Sequence, residues 1–199
     1  MRFTRSLAML SFAIIVFCGA TFADTINFGG PGGDLGSNTH TFTSGSSSIT
    51  VTDYTKTDLY SKNATGDENG LGLANGGSDH EIGGSTNFVQ FLSAGITSIT
   101  IGSVQTGETW VLFGSSIKGT EGTTPITSFT TTNTAKGVVV TFTGALPTYI
   151  SLAAKSGDVL LNSANISAVP ESGTPAMILT LGLVCVFAFG RSKLGRLAA

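Results

Sequence analysis

The sequence predicts an all-β domain, a β-sandwich or jelly roll, followed by a single C-terminal transmembrane helix. Three observations carry this expectation. Short β-branched runs in the body alternate at period two, the repeat of a half-buried strand. The runs recur about every ten residues with Gly, Ser, Thr and Asn between them, which is the rhythm of a sandwich or a jelly roll. No stretch of the body has a 3.6-residue apolar period, whereas both ends of the chain are strongly apolar.

The N-terminal end comes first. Arg2 and Arg5 precede the apolar segment 7–17, and Cys18-Gly19-Ala20-Thr21-Phe22-Ala23 follows. A charged start, an apolar middle and small residues at the cut make a secretory signal peptide over residues 1–23. Cleavage is expected between Ala23 and Asp24. A lipoprotein cut at Cys18 is disfavoured by the bulky Phe17 before it. The two cysteines are Cys18 and Cys185, one in each apolar end. Residues 24–168 therefore carry no thiol, and an exported domain here has to stand on its hydrophobic core without disulfides. Its length suffices for one ordinary domain.

Strands are expected at Thr25–Phe28, His40–Thr43, Ser48–Tyr54, Leu59–Lys62, Asn87–Leu92, Ser98–Val104, Trp110–Gly114, Ile126–Thr131, Val138–Thr143, Tyr149–Ala153 and Val159–Ile166. Ile49, Val51 and Asp53 oppose Thr50, Thr52 and Tyr54; Ile99 and Ile101 oppose Ser98 and Thr100. Trp110 sits at the centre of its run and reads as core. Gly29-Gly30-Pro31-Gly32-Gly33 reads as a loop, since neither helix nor strand continues through it.

The longest irregular stretch is 63–86. Asp67, Glu68, Asp79 and Glu81, four of the twelve acidic residues, fall within fifteen positions there. Calcium takes about six to eight oxygens, some from backbone carbonyls, and a glycine-rich chain can fold back to supply them. The spacing is not that of an EF-hand. Two readings stand, a solvated polar loop and a loop organised by calcium through those four carboxylates.

Charge and motifs limit the function. All twelve acidic residues but only Lys56, Lys62, Lys118, Lys136 and Lys155 among the basic ones lie between Asp24 and Glu171, so that stretch is near −7. A nucleic-acid partner would want a basic face. The two histidines, His40 and His80, form no metal-binding pair in sequence, and no Gly-x-Ser-x-Gly elbow or phosphate loop occurs. Asp67 with Glu68, or Asp79 with Glu81, are the residues a carboxylate glycosidase would use. No catalytic residue is assigned.

The C-terminal end has three parts: Val169-Pro170-Glu171-Ser172-Gly173, an apolar segment 174–190, and Arg191, Lys193 and Arg196 in the tail 191–199. Fifteen apolar or small residues make a helix of about 22 Å. Against a hydrocarbon core of about 30 Å, Thr174, Pro175 and snorkelling basic side chains complete the span. Basic residues after the run favour a cytoplasmic C-terminus.

Motif, apolar segment and basic end, in that order, resemble the PEP-CTERM sorting signal, in particular its Val-Pro-Asp-Ser-Gly subclass. The match covers residues 169–199; Glu171 stands at the acidic position, the basic cluster is dilute and 194–199 trail beyond it. The stretches 66–82 and 88–108 are similar to bodies of other such proteins. The resemblance implies an exosortase as partner, cutting near Val169–Gly173, a transient inner-membrane anchor, and a final place in the periplasm, outer envelope, cell surface or extracellular matrix. The expected function is a non-enzymatic surface or matrix protein associated with exopolysaccharide and biofilm. A calcium-dependent carbohydrate-binding module is the alternative.

Overall fold

Alternation at period two becomes two antiparallel sheets in the computed structural model, which describes residues 23–84, 86–130 and 137–167. The expected signal peptide, sorting motif, transmembrane helix and basic tail lie outside the described residues. In chain order the strands are β1 (Asp24–Asn27), β2 (Gly33–Asp34), β3 (Thr39–Ser44), β4 (Ser47–Asp53), β5 (Leu59–Lys62), β6 (Gly70–Leu73) and β7 (Ile82–Gly83). They continue as β8 (Phe88–Leu92), β9 (Ile96–Gly102), β10 (Thr109–Ser115), β11 (Thr124–Thr130), β12 (Val138–Thr141), β13 (Tyr149–Ser156) and β14 (Asp158–Ile166). A 3-10 turn, Gly66–Glu68, precedes β6.

One sheet runs β12-β9-β14-β6-β5-β2, and the other β11-β10-β13-β8-β4-β3. The nine-residue β14 organises the first. β9 lies along one side of it, and the other side is shared end to end by β7, β6 and β1. The inner faces of both sheets meet in one core. Ile26, Ile99, Ile101, Leu161 and Ala164 come from the first sheet, and Val51, Val89, Phe91, Trp110, Leu112, Ile150 and Leu152 from the second. Each fully buried Leu, Ile or Val contributes roughly 1.5–3 kcal/mol, which is how a domain without cysteine in residues 24–168 holds together. Trp110 is fully buried, as its pattern predicts.

The eleven expected strands all form, with ends shifted by a few residues. Three more appear where composition reads as loop: β2 in the glycine-rich run, and β6 and β7 within 63–86. In β6 the sequence Gly70-Leu71-Gly72-Leu73 is itself period two. Leu71 and Leu73 are fully buried, and the glycines face the other way. A Cβ on Gly72 would stand 1.9 Å from the His80 carbonyl oxygen, and one on Gly70 2.8 Å from that of Leu161. The glycines are required because backbone packs directly on them. Gly29 in the first loop is crowded by a side chain instead: a Cβ there would fall on the Asn69 amide oxygen.

Candidate functional site

The segment 74–84 folds back over β6. Leu73 N–H donates to the His80 carbonyl at 3.1 Å, Gly76 N–H to Leu73 at 2.9 Å, and Ala74 N–H to Asp58 at 2.9 Å. β7 at its far end pairs Ile82 with Val159 and Gly83 with Asp158. The flap brings its side chains onto β5, whose outward residues are Tyr60 and Lys62, opposite Gly72 and Gly70. His80, in the left-handed region with φ 57°, stacks on Tyr60 with ring centroids 4.0 Å apart and planes 14° apart. Its Nδ1 lies 3.0 Å from the Ala74 carbonyl oxygen.

Next to this stack the site gathers its charges. Lys62 Nζ is 2.6 Å from Glu68 Oε2 and 2.6 Å from Glu81 Oε1. Ser103 Oγ lies 2.9 Å from Glu68 Oε1 and 2.8 Å from Glu81 Oε1. Ser103 follows β9 with φ 50°, held by its N–H donating to the Asp67 carbonyl at 2.9 Å. Glu81 is 2% exposed, Glu68 40%. Glu81 Oε2 is buried without a hydrogen-bond partner.

Electrostatics sort the two carboxyls. Burial pushes Glu81 up to about 7, with Asp158 adding to the rise and Lys62 and Ser103 opposing it. Burial also pushes Glu68 up, but hydrogen bonds from Lys62 and Ser103 and the ammonium charge outweigh it, and Glu68 ends below the ordinary value. For Lys62, burial pulls down and the two glutamates win, raising it. A second carboxyl, Glu108, is pushed up by burial; the Gln105 and Asp158 N–H groups oppose this, and the Asp158 carboxylate adds to it.

Of the four expected calcium ligands, Glu68 and Glu81 come together. Asp67 is half-buried in the 3-10 turn, where its carbonyl holds Ser103, and Asp79 stays exposed in the flap. Among the described residues no group of three or more His, Cys, Asp or Glu side chains could hold a metal ion. The arrangement expected for calcium over Asp67, Glu68, Asp79 and Glu81 thus has two of its four carboxyls side by side. The cation between the glutamates is the ammonium of Lys62, delivered by β5 from the same face as the flap. Lys62 and Ser103 take both oxygens of Glu68 and the Oε1 of Glu81, and Glu81 is closed to solvent.

Two members of the cluster carry no sequence signal strong enough to pick them. Lys62 is the one charge in β5, and its outward parity with Tyr60 was legible. Ser103 was not, because its role depends on a left-handed backbone turn after β9. No protein-family model matches the chain, and neither does any curated protein or solved structure.

Proposed function

We propose that the chain is an exported, non-enzymatic protein of the cell surface or extracellular polysaccharide matrix, delivered by a signal peptide and sorted by an exosortase at Val169–Gly173. One observation carries the reading furthest. β1 starts at Asp24, the expected mature N-terminus, and pairs with β14 so that Asp24 lies opposite Ile166. The folded unit runs from Ala23 to Ala168. Cuts at the two expected processing points leave every described strand and core residue in place.

The surface agrees with a polysaccharide setting. Across the first sheet, Thr25, Asn165 and Thr141 lie in one row with the buried Ser98, with Thr25 donating to Asn165 at 2.7 Å and Asn165 to Ser98 at 2.8 Å. On the second, Thr39 pairs with Thr52 at 3.1 Å and Thr41 with Thr50 at 2.7 Å. These rows are hydroxyls and amides, groups that exchange hydrogen bonds with neutral sugars and make no ion pairs.

Expression in an exosortase-containing host followed by intact-mass measurement tests the proposal. Protein that begins at Asp24 and ends near Val169–Gly173 supports it. Full-length protein ending at Ala199 in the membrane overturns it.

A further inference from the structure

Strand direction gives the folded unit two different ends. β1 starts at Asp24 opposite Ile166, where β14 stops, and Ile166 also pairs with Ile96 at the start of β9. Ser167 N–H donates to the Gly95 carbonyl at 2.8 Å and fastens the chain to the turn 93–95. The β3–β4 hairpin turns at the same end, where Ser47 Oγ donates to Asp24 Oδ2 at 2.6 Å. The segment 142–148 lies there too, with Ser93 N–H on the Thr148 carbonyl at 3.1 Å. The chain outside the unit, 1–22 and 169–199, therefore joins it at one end.

Charge is divided between the ends. The turns 44–47 and 93–95 and the segment 142–148 contain no Asp, Glu, Lys or Arg. Asp24 stands beside them, held by the hairpin. The loop 116–123 carries Lys118 and Glu121, but it folds back along the second sheet. Gly119 N–H donates to Gln90 Oε1 and Gln90 Nε2 to the Thr120 carbonyl, both at 2.8 Å, and Glu121 pairs with Lys155. The opposite end gathers Asp53, Lys56, Asp58, Asp79, Glu108 and Asp158. Among the described residues three large apolar side chains are exposed. Two of them belong to the neutral end: Leu92, which closes β8, and Ile117, which follows β10.

We propose, resting on the reading of 1–23 as a signal peptide and 174–190 as a membrane anchor, that this neutral end is the surface the domain turns to the bilayer before it is cut, and that a bilayer containing anionic lipid is its partner. Residues 168–173 extend at most about 20 Å, so an anchored domain holds this end near the headgroups. Asp158 and Ile166 stand about 26 Å apart along β14. That is several Debye lengths of about 8–10 Å, so the acidic end of a unit near −7 escapes the anionic surface only in this orientation. Serine and threonine hydroxyls can bond to headgroups, and Leu92 and Ile117 add apolar contact.

The test uses the full-length chain with Cys18→Ala and Cys185→Ala, reconstituted in phosphatidylcholine vesicles containing phosphatidylglycerol and a lipid with a quencher on its headgroup. A fluorophore is placed by Ser46→Cys or Ala94→Cys at the neutral end, or by Ser78→Cys or Gln105→Cys at the other. Quenching at the first two sites is expected to be at least about twice that at the last two, given the length of β14 between them. Adding Ala145→Glu and Ser48→Glu should lower quenching at Ala94→Cys on these vesicles and leave it unchanged on phosphatidylcholine alone. Floating protein with equal quenching at all four sites, or quenching that the added glutamates do not change on the anionic vesicles, overturns the proposal while the anchor reading stands. Asymmetry that appears only when an exosortase is reconstituted alongside also overturns it, and assigns the surface to that protein. Chain that does not float with the vesicles overturns the anchor reading and this inference with it.

Discussion

Lys62 and Lys155 both make ion pairs, and their surroundings set their worth apart. Lys62 serves two carboxyls, one of them 2% exposed, while Lys155 meets Glu121 at 2.8 Å with both partners about 30% exposed. Removing one partner of a buried pair costs roughly 3–5 kcal/mol because the other charge is stranded; an exposed pair is worth about 1 kcal/mol or less. Lys62 is itself 21% exposed, so its figure belongs toward the low end. Lys62→Met is expected to lower unfolding free energy by about 2–3 kcal/mol and Lys155→Met by less than about 1 kcal/mol, measured by urea denaturation. The Lys62→Met loss should be larger at pH 8 than at pH 5, since both glutamates are then ionised with no ammonium beside them.

At the scale of elements, β6 shows how a glycine strand works. Its leucines fill the core and its glycines admit the flap, so substitutions at glycines of one segment should separate sharply. Gly72→Ala puts a methyl 1.9 Å from a backbone oxygen, which cannot rotate away. Gly77→Ala meets nothing within 4 Å and carries only the strain of φ 73°. Thermal denaturation should show Gly72→Ala losing about 2 kcal/mol or more, with weakened protection of the flap, and Gly77→Ala about 1 kcal/mol. Equal losses would mean that the flap does not pack on β6 as described. The glycine content that made 63–86 read as loop is what lets the flap backbone pack on β6 here. The Gly-Leu-Gly-Leu alternation was visible, but glycine counts as a breaker until its neighbour is known.

At the scale of the molecule, the carboxyl cluster and the core make separate predictions. A unit whose core draws on both sheets, with no cysteine inside it, should be β-rich, monomeric and indifferent to reductant when residues 24–168 are produced alone. Circular dichroism dominated by helix would contradict this. With an ammonium seated between Glu68 and Glu81, the melting temperature should be the same in calcium, magnesium and chelator. A rise confined to calcium would favour the calcium reading.

The sequence by itself determined the all-β class, the eleven principal strands and the burial of Trp110. These depend on local alternation, which each strand carries in its own residues. It also located Glu68 and Glu81 in the stretch that builds the polar cluster. Only the tertiary structure decided that Lys62 stands between them, that Ser103 bridges them and that Asp79 stays apart. That choice rests on register: Lys62 faces Gly70 across β5 and β6, and the flap can descend on Gly72 only because no side chain is there. Residues far apart in the chain meet through backbone pairing, and nothing in the local pattern of either partner encodes which residue it will meet.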